Sequence, residues 1–379
     1  MPYITVRQTP RSQQITFEDI LFGRVPFKDN DARISNGGTV TFLVDRQKTI
    51  DQHRRLVNVQ DLIRTLNAFN SAFASVIDVE DKNTLYRTFH IPKKSGGYRQ
   101  INEPSTELMG ALRTLVAIFE EKFNALYHTS AFAYVKGRCT IDAVKRHQGN
   151  QSRWFLKTDF SDFFGSTTPE FLYDMLSRIF PFSDVVQSGA GAEALRKALS
   201  VCFLNGGLPQ GSPASPMLTN LMMIPIDHQL CNELLKQGYI YTRYADDILI
   251  SSRGTFDYQK MCEYIESVLA KFGAPFRIKP QKTRYGSSAG RNWNLGVMLN
   301  SKNEITIGRK NKEYLKAACN SYVNDKQHNT PWDYHDINVL LGKISYYRMV
   351  EPEYIKGFIE HFNRKKGVNL MRMLRDDIR

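Results

Sequence analysis

The stretch "YTRYADDILISS", Tyr241 to Ser252, places Asp246 and Asp247 side by side between two short runs that are typical of β-strands. Aspartate is a common turn residue, and a solvated hairpin tip lowers the cost of placing two negative charges together. A turn alone would therefore account for the pair. The other explanation is that the two carboxylates bind a cation. Other motifs in the chain are needed to choose between a turn and a cation site.

A second aspartate follows an apolar run in "RWFLKTDFSDFF", where Asp159 ends a predicted strand. If this strand lies beside the Asp246–Asp247 hairpin, three carboxylates meet at one sheet edge, and without compensation they would cost several kcal/mol. Magnesium ions favour a few carboxylates together with phosphate oxygens, and two such ions about 4 Å apart can activate a hydroxyl and stabilise a leaving pyrophosphate. The pattern therefore predicts phosphoryl transfer without a covalent nucleophile.

Between these elements lies "NGGLPQGSPASPMLTNLMM", Asn205 to Met223, a loop rich in Gly and Pro that enters an apolar helix. Its glycines allow the backbone near Gln210 and Gly211 to approach a ligand closely. The loop could pack under a base pair and a sugar. The alternative is an ordinary turn and helix cap.

Composition indicates a folded protein with a polyanionic partner. The chain has 379 residues, 42% of them hydrophobic, and a formal net charge of +13. From Lys271 to Lys316, eleven Lys or Arg residues accompany only two acidic residues, and Tyr285 and Trp293 lie among them. Such a segment suits a nucleic-acid backbone, although a solvated positive face would read the same way. No apolar stretch is long enough for a membrane span or a signal peptide, which predicts a soluble cytoplasmic protein without a membrane partner.

The predicted elements form a mixed α/β (α+β) body followed by a small helical domain. Leu56 to Ile77 has apolar residues at helical spacing, and Tyr86 to Pro104 reads as a hairpin with a basic tip. Three further helices are expected near 310–324, 334–349 and 352–374, the last with Pro352 in its first turn. The five cysteines and eight histidines are scattered, so neither a zinc site nor a disulfide framework is expected.

Five motifs together resemble those of reverse transcriptases. The palm motifs are "LKTDFSDFF", "GLPQGSPASPMLTN", "RYADDILIS" and "IKPQKTRY", and "IPKKSGGYRQINEP" resembles the fingers hairpin. The resemblance covers roughly residues 85–300 and implies a right-hand polymerase fold with fingers and palm, followed by a small α-helical thumb. The implied division is a partly helical N-terminal extension (1–80), fingers (81–158), palm (159–300, with a fingers-palm insertion around 169–230) and helical thumb (301–379).

The resemblance implies roles for matching residues. Asp159, Asp246 and Asp247, with the backbone of Phe160, would hold two Mg²⁺, for which Mn²⁺ is a candidate substitute, and Lys282 would protonate pyrophosphate. Phe164 takes the place of the steric gate against a ribose 2′-hydroxyl. The implied nucleotide-binding set is Lys93, Lys94, Arg99, Phe160, Phe164, Gln210, Gly211, Tyr244 and Ala245. The implied primer and template set is Trp293, Leu295, Gly296, Lys310 and Lys312.

The implied partners are a structured non-coding RNA template, an RNA/DNA hybrid and dNTPs, with an effector protein as a further candidate. Length and fingers motif resemble bacterial retron and phage-defence reverse transcriptases. Where retron enzymes show Asn-Ala-x-x-His and Val-Thr-Gly, this chain has "DAVKRH" (Asp142 to His147) and "NLGV", so unclassified antiviral enzymes are equal candidates. Two other functions stay open: template-independent or protein-primed DNA synthesis of the abortive-infection type, and a catalytically silent RNA-binding scaffold.

Overall fold

The computed structural model describes residues 57–93, 96–122, 127–288, 297–300 and 302–378, together with the backbone of two short strands at 32–34 and 40–42. The strands of this part are β1 (Ala32–Ile34), β2 (Val40–Phe42), β3 (Tyr86–Pro92), β4 (Tyr98–Pro104), β5 (Trp154–Asp159), β6 (Ile240–Tyr244), β7 (Asp247–Ser252), β8 (Arg284–Ser287), β9 (Met298–Leu299) and β10 (Ile305–Thr306).

The α-helices of the same part are α1 (Val59–Ala72), α2 (Ala74–Ile77), α3 (Thr106–Ala117), α4 (Thr140–Gly149), α5 (Pro169–Ser177), α6 (Phe182–Val185), α7 (Gly189–Ser200), α8 (Ala214–Met222), α9 (Ile224–Lys236), α10 (Tyr258–Lys271), α11 (Arg309–Gln327), α12 (Tyr334–Val350), α13 (Pro352–Lys366) and α14 (Leu370–Asp376). Short 3₁₀ turns at Lys82–Leu85 and Pro280–Lys282 and a π-helical turn at Ile118–Lys122 complete the description. The mixed α/β (α+β) prediction is confirmed.

A four-stranded antiparallel sheet in the order β6-β7-β5-β8 forms the centre of the fold. Successive strand residues point to opposite faces, and here both faces are covered. Leu156 and Ile250, which are register partners, belong to the main core, whereas Phe155 and Leu249 belong to a second core shared with the C-terminal helices. Burial on both faces explains why β5 and β7 are apolar runs rather than alternating sequences.

The hairpin predicted over Tyr86 to Pro104 is confirmed as β3 and β4, paired in antiparallel register. At its tip the Lys93 amide donates to the Gly97 carbonyl at 2.9 Å, and Gly96 and Gly97 both have positive φ. Glycine adopts this left-handed backbone at no steric cost, so the pair allows the tight turn. Lys94 lies outside the described residues.

Two predicted helices differ from the observed ones. The helix expected over Leu56–Ile77 ends at Ala72, and the short α2 follows after Phe73. The helix expected near 352–374 is two helices, because Gly367 adopts φ +65° and caps α13 before α14 begins. A left-handed glycine just past the last turn is a common way for a helix to end. Pro352 occupies the first turn of α13, as predicted.

The helices α11 to α14 surround the second core, which includes Leu315, Ile344 and Phe362. This core continues onto the sheet through Phe155 and Leu249, so the C-terminal helices share a hydrophobic core with the strands that carry the aspartates. The five cysteines are free thiols, as expected. Among the described residues, none of the helices combines the length and apolar character needed to cross a membrane.

Candidate active site

The register of the central sheet brings the three predicted aspartates to one edge. β5 and β7 are antiparallel, and Asp159 is the register partner of Asp247. Tyr244 pairs with Asp247 in the β6–β7 hairpin, which leaves Ala245, at φ +57°, and Asp246 as the two-residue turn. The amide of Phe160 donates to the Asp246 carbonyl at 3.1 Å. Two strands that are far apart in sequence are thus joined at their aspartates.

Lysines neutralise two of the three carboxylates. Lys282 Nζ lies 2.5 Å and Lys279 Nζ 3.7 Å from Oδ2 of Asp159, whose side chain is only 3% exposed. Lys157 Nζ lies 3.0 Å from Oδ2 of Asp247. The hydrogen bond to Asp159 raises the pKa of Lys282, so this ammonium stays charged. The lysine for which the sequence implied a role toward pyrophosphate therefore contacts the carboxylate edge directly.

Asp246 carries negative charge that the surroundings disfavour. Burial, and then the charges of Asp247 and Asp159, raise its pKa above the usual value for aspartate. In the part of the chain that the structure describes, no three His, Cys, Asp or Glu side chains converge tightly enough to hold a metal ion alone. The donor chemistry nevertheless fits magnesium, which takes one or two carboxylates and completes its shell with phosphate oxygens and water.

The aromatic residues after Asp159 divide into core and site. The Phe160 ring is fully buried and stacks on Phe163 at 5.3 Å, so Phe160 can face a ligand only through its backbone. Phe164 is half-buried, and its carbonyl accepts from the Leu208 amide at 3.0 Å. A Cβ on Gly207 would lie 2.0 Å from a backbone oxygen of the Phe164 neighbour Gly165. Close backbone packing therefore fixes Phe164 against the Gly-Pro loop.

The same loop docks on the β3–β4 hairpin. The amide of Asn102, in β4, donates to the Gln210 carbonyl at 2.8 Å. Gly211 has φ +118°, and a Cβ there would lie 2.5 Å from the Asn102 carbonyl oxygen. Both observations require glycine at position 211, first for its backbone conformation and second for the close approach. Gln210 and Gly211 are thus placed at the junction of hairpin and loop, within reach of solvent.

Replacing Gly211 by alanine is expected to lower the free energy of unfolding by about 1–3 kcal/mol, the range for a residue held in a strained backbone conformation. The loss arises because the added Cβ must push the loop away from Asn102. Urea unfolding followed by circular dichroism measures it. Gly254→Ala is the matched control, since no atom lies within 4 Å of a Cβ at that position; equal stability of the two variants would contradict the docking.

Tyr134 is a further candidate residue of this site, and no sequence pattern indicated it. Residues 130–132 run parallel to β6, with the Phe132 amide donating to the Arg243 carbonyl at 2.9 Å. The next turn of chain places Tyr134 at φ +59°, with its side chain 52% exposed. Burial and then the charge of Asp246 raise the pKa of its hydroxyl, and Arg99 opposes that rise. A pairing between segments more than 100 residues apart has no local sequence signal.

The two lysines assigned to primer and template differ in surroundings. Lys310 is exposed in the first turn of α11. Lys312 instead lies 2.7 Å from Glu351 Oε1 and 4.0 Å from the centre of the Tyr354 ring. Lys312 is therefore engaged within the helical domain, and its role toward primer and template stays a prediction. Trp293, Leu295 and Gly296 lie outside the described residues.

Comparisons with known proteins give a consistent picture. Residues 91–316, more than half of the chain, match the family described as reverse transcriptase (RNA-dependent DNA polymerase). The retron Ec83 reverse transcriptase of Escherichia coli is 29% identical over 301 residues, covering 77% of this chain and 90% of that protein. The retron Mx162 reverse transcriptase of Myxococcus xanthus is 26% identical, covering 74% of this chain and 60% of that protein.

Among solved structures, telomerase from Candida tropicalis in complex with a TWJ fragment of telomeric RNA matches with a TM-score of 0.44 and 11% identity. The match covers 82% of this chain and 64% of the telomerase chain. The chain therefore spans less than two thirds of that telomerase, as it does of the Myxococcus relative.

Proposed function

Because this chain belongs to the reverse transcriptase (RNA-dependent DNA polymerase) family, we propose that it copies a dedicated, structured non-coding RNA into DNA by two-metal phosphoryl transfer. The resemblance drawn from the palm motifs and the right-hand polymerase fold that it implied are both confirmed by the family match. The retron relatives support the RNA partner, since the proteins of that name are reverse transcriptases of bacteria.

One observation carries the proposed chemistry: Asp159 and Asp247 are register partners, and Asp246 turns beside them with a raised pKa. Asp159 and Asp246 are the proposed main ligands of two Mg²⁺, with Asp247 and the Phe160 backbone beside them and Mn²⁺ as a substitute. When bound, the ions would activate the primer 3′-hydroxyl and stabilise the leaving pyrophosphate. Bound cations would also offset both the burial and the charges of Asp247 and Asp159 that raise the pKa of Asp246.

The chain's own cations and aromatic ring would bind and select the nucleotide. Lys282 and Lys279 already face the carboxylate edge, so their ammonium groups are close to where the triphosphate would lie. Lys93 and Arg99, together with Lys94, which follows Lys93 in the sequence, would clamp the outer phosphates. The Gln210–Gly211 backbone, with Tyr244 and Ala245, would support the base and sugar, and Phe164 would exclude a 2′-hydroxyl.

The proposed domain division follows the elements. In this proposal the fingers (81–158) would include the β3–β4 hairpin and α3, the palm (159–300) would include β6, β7 and β8, and the thumb (301–379) would include α11 to α14, while β5 (Trp154–Asp159) would cross from fingers to palm. Residues 1–80 are proposed to bind the dedicated RNA or a protein. The RNA/DNA hybrid would lie across palm and thumb. A cytoplasmic role in antiviral defence, together with an effector protein, belongs to the same proposal and rests on the retron relatives.

Neutralising Lys310 alone is expected to reduce the dependence of RNA binding on salt. Losing one phosphate contact lowers the slope of log K against log salt by about 0.7 to 0.9. Lys312→Ala should leave the slope unchanged and instead lower the unfolding temperature, because it removes the ion pair to Glu351. Filter binding across a salt series, with thermal unfolding of both variants, separates the two lysines; the reverse assignment would show that Lys312 leaves Glu351 to contact RNA.

Incorporation of labelled dNTPs with Mg²⁺ tests the function, using a primed RNA template and, in parallel, only the nucleic acid that co-purifies with the protein. Synthesis on the supplied template is expected for a reverse transcriptase. Product only from co-purified RNA would support a dedicated template. DNA attached covalently to the protein would favour protein priming instead. RNA binding without product in either assay would favour the silent scaffold.

A further inference from the structure

A fully buried ion pair lies directly behind the aspartate turn. The guanidinium of Arg243 and the carboxylate of Asp227 are both 0% exposed, and Nη2 donates to Oδ2 at 2.8 Å while Nε donates to Oδ1 at 2.9 Å. The remaining nitrogen, Nη1, donates to the carbonyl of Ala245 at 3.0 Å. The arginine thus holds the turn residue that precedes Asp246, and it does so from inside the protein.

Asn220 extends the same network to the opposite side of the site. Its Oδ1 accepts from Arg243 Nη2 at 3.1 Å, and its Nδ2 donates to the carbonyl of Ala133 at 2.8 Å. Ala133 immediately precedes Tyr134. One buried guanidinium therefore connects, through a single amide, the two backbone segments that present Asp246 and Tyr134.

Stability alone is a poor explanation for such a pair. Removing two charges from water is costly, and well-packed apolar residues often serve equally well in their place. What an apolar side chain cannot do is bond the carbonyl of a non-glycine residue held at φ +57°. A residue in the left-handed region stays there when its surroundings over-determine it. The guanidinium of arginine is planar and its N–H donors have fixed directions, so its bond to the Ala245 carbonyl restricts the orientation of that peptide group.

We propose that Arg243, oriented by Asp227 and Asn220, is a positioning residue that sets the turn carrying Asp246 and the segment carrying Tyr134. The network contacts no substrate and acts only through these backbone carbonyls. The inference rests on the proposed role of Asp246 as a metal ligand. Asn220 in α8, Asp227 in α9 and Arg243 in β6 would thus affect the reaction although they are buried in the core.

The test compares Arg243→Lys with Thr242→Val. Lysine keeps the charge beside Asp227 but cannot also reach Asn220 and Ala245. We expect kcat to fall by about 10- to 100-fold, the usual range for residues that orient metal ligands, with KM for dNTP unchanged within about twofold. Binding of Mn²⁺ followed by electron paramagnetic resonance should weaken in parallel. Hydrogen exchange at the amides of 245–247 should accelerate.

Thr242→Val is the matched control. Thr242 neighbours Arg243 in β6 and is equally buried, but its hydroxyl contacts His147 Nε2 at 2.8 Å on the other face of the sheet. It should lower the unfolding temperature while leaving kcat and Mn²⁺ binding unchanged. If Arg243→Lys merely lowers stability as the control does, the positioning role is wrong.

If Arg243→Lys does not fold, Asn220→Ala provides the test of the positioning role. This substitution keeps the ion pair between Arg243 and Asp227 and removes the hydrogen bonds of Asn220 to Arg243 and to Ala133. We expect about a tenfold loss of kcat and weaker Mn²⁺ binding; wild-type values for both would overturn the inference. An inactive wild-type protein, by contrast, would contradict the proposed function itself. Activity in wild type, its loss in Asp246→Asn and its retention in both network variants would reject only the positioning role.

Discussion

Replacing Asp246 by asparagine is expected to lower the rate of nucleotide incorporation by about a thousandfold or more. The carboxylate is a proposed metal ligand, and losing it should remove several kcal/mol of transition-state stabilisation, at about 1.4 kcal/mol for each tenfold change in rate. Single-turnover incorporation on a primed RNA template measures the effect. Binding of the same template should be unchanged, because Asp246 does not contact the RNA in the proposed mechanism.

The same substitution is expected to stabilise the metal-free protein at pH 7. Burial and the neighbouring Asp247 and Asp159 raise the pKa of Asp246 in the folded state, so the folded protein binds this proton more tightly than the unfolded chain does. The stability of the wild type must then fall as the pH rises from the unfolded pKa through the folded one, and it stays lower above that range. Asparagine does not ionise and avoids this loss.

Urea unfolding in EDTA between pH 3 and pH 7 checks the sign. The advantage of Asp246→Asn should be present at pH 7 and vanish below the ordinary pKa of aspartate, about 3.9. Asp174→Asn is the control, because Asp174 forms an exposed ion pair with Arg178 away from the sheet edge. It should change neither incorporation nor this pH dependence. Near wild-type synthesis by Asp246→Asn would remove Asp246 from the metal site.

Replacing Phe164 by alanine is expected to admit ribonucleotides. The side chain is half-buried, and its backbone is fixed by the bond from Leu208 and by the close approach of Gly165 to Gly207. Because the backbone that carries the ring is held in place, the ring would clash with a 2′-hydroxyl in the proposed role. Loss of the clash should reduce discrimination between dNTP and rNTP by roughly 10- to 200-fold, the range for a small change in pocket shape.

Competition between dCTP and rCTP on one template, expressed as a ratio of kcat/KM values, measures the discrimination. Phe164→Tyr is the matched variant, since it keeps the ring and should keep the preference for dNTP. Unchanged selectivity in Phe164→Ala would mean that another side chain excludes the 2′-hydroxyl, and Tyr134 would then be the next candidate because the charge of Asp246 acts on its hydroxyl.

The sequence predicted those parts of the site whose signal is local. Asp159 and the Asp246–Asp247 pair sit at strand ends that periodicity reveals, and the glycines of the hairpin and the loop mark tight turns. The fingers hairpin and the helical C-terminal region followed from the same kind of pattern. The motifs quoted above also occur in the same order along the chain as in reverse transcriptases. This shared order made the resemblance to that family more specific than any single motif.

What the sequence missed depends on contacts between distant segments. Tyr134 and the Arg243–Asp227 pair reach the site through a parallel pairing and a buried network that join residues 16 to more than 100 positions apart. Lys312 looked like one member of a basic run, and only the fold shows that Glu351 engages it. Gly367 broke a helix that apolar spacing alone would have continued, since periodicity carries no information on a left-handed cap.

The pairing of Asp159 with Asp247 has an evolutionary consequence. Ladder hydrogen bonds between β5 and β7 fix how the aspartates face each other, and a one-residue slip would turn every side chain of a strand to the opposite face. Segments between the two strands that contain neither the Gln210–Gly211 loop nor the network of Asn220, Asp227 and Arg243 are under no such constraint on length. Insertions in such segments can change the surface of the protein without moving the aspartates. A single residue inserted within β5 or β7 would instead shift the register and separate Asp159 from Asp247.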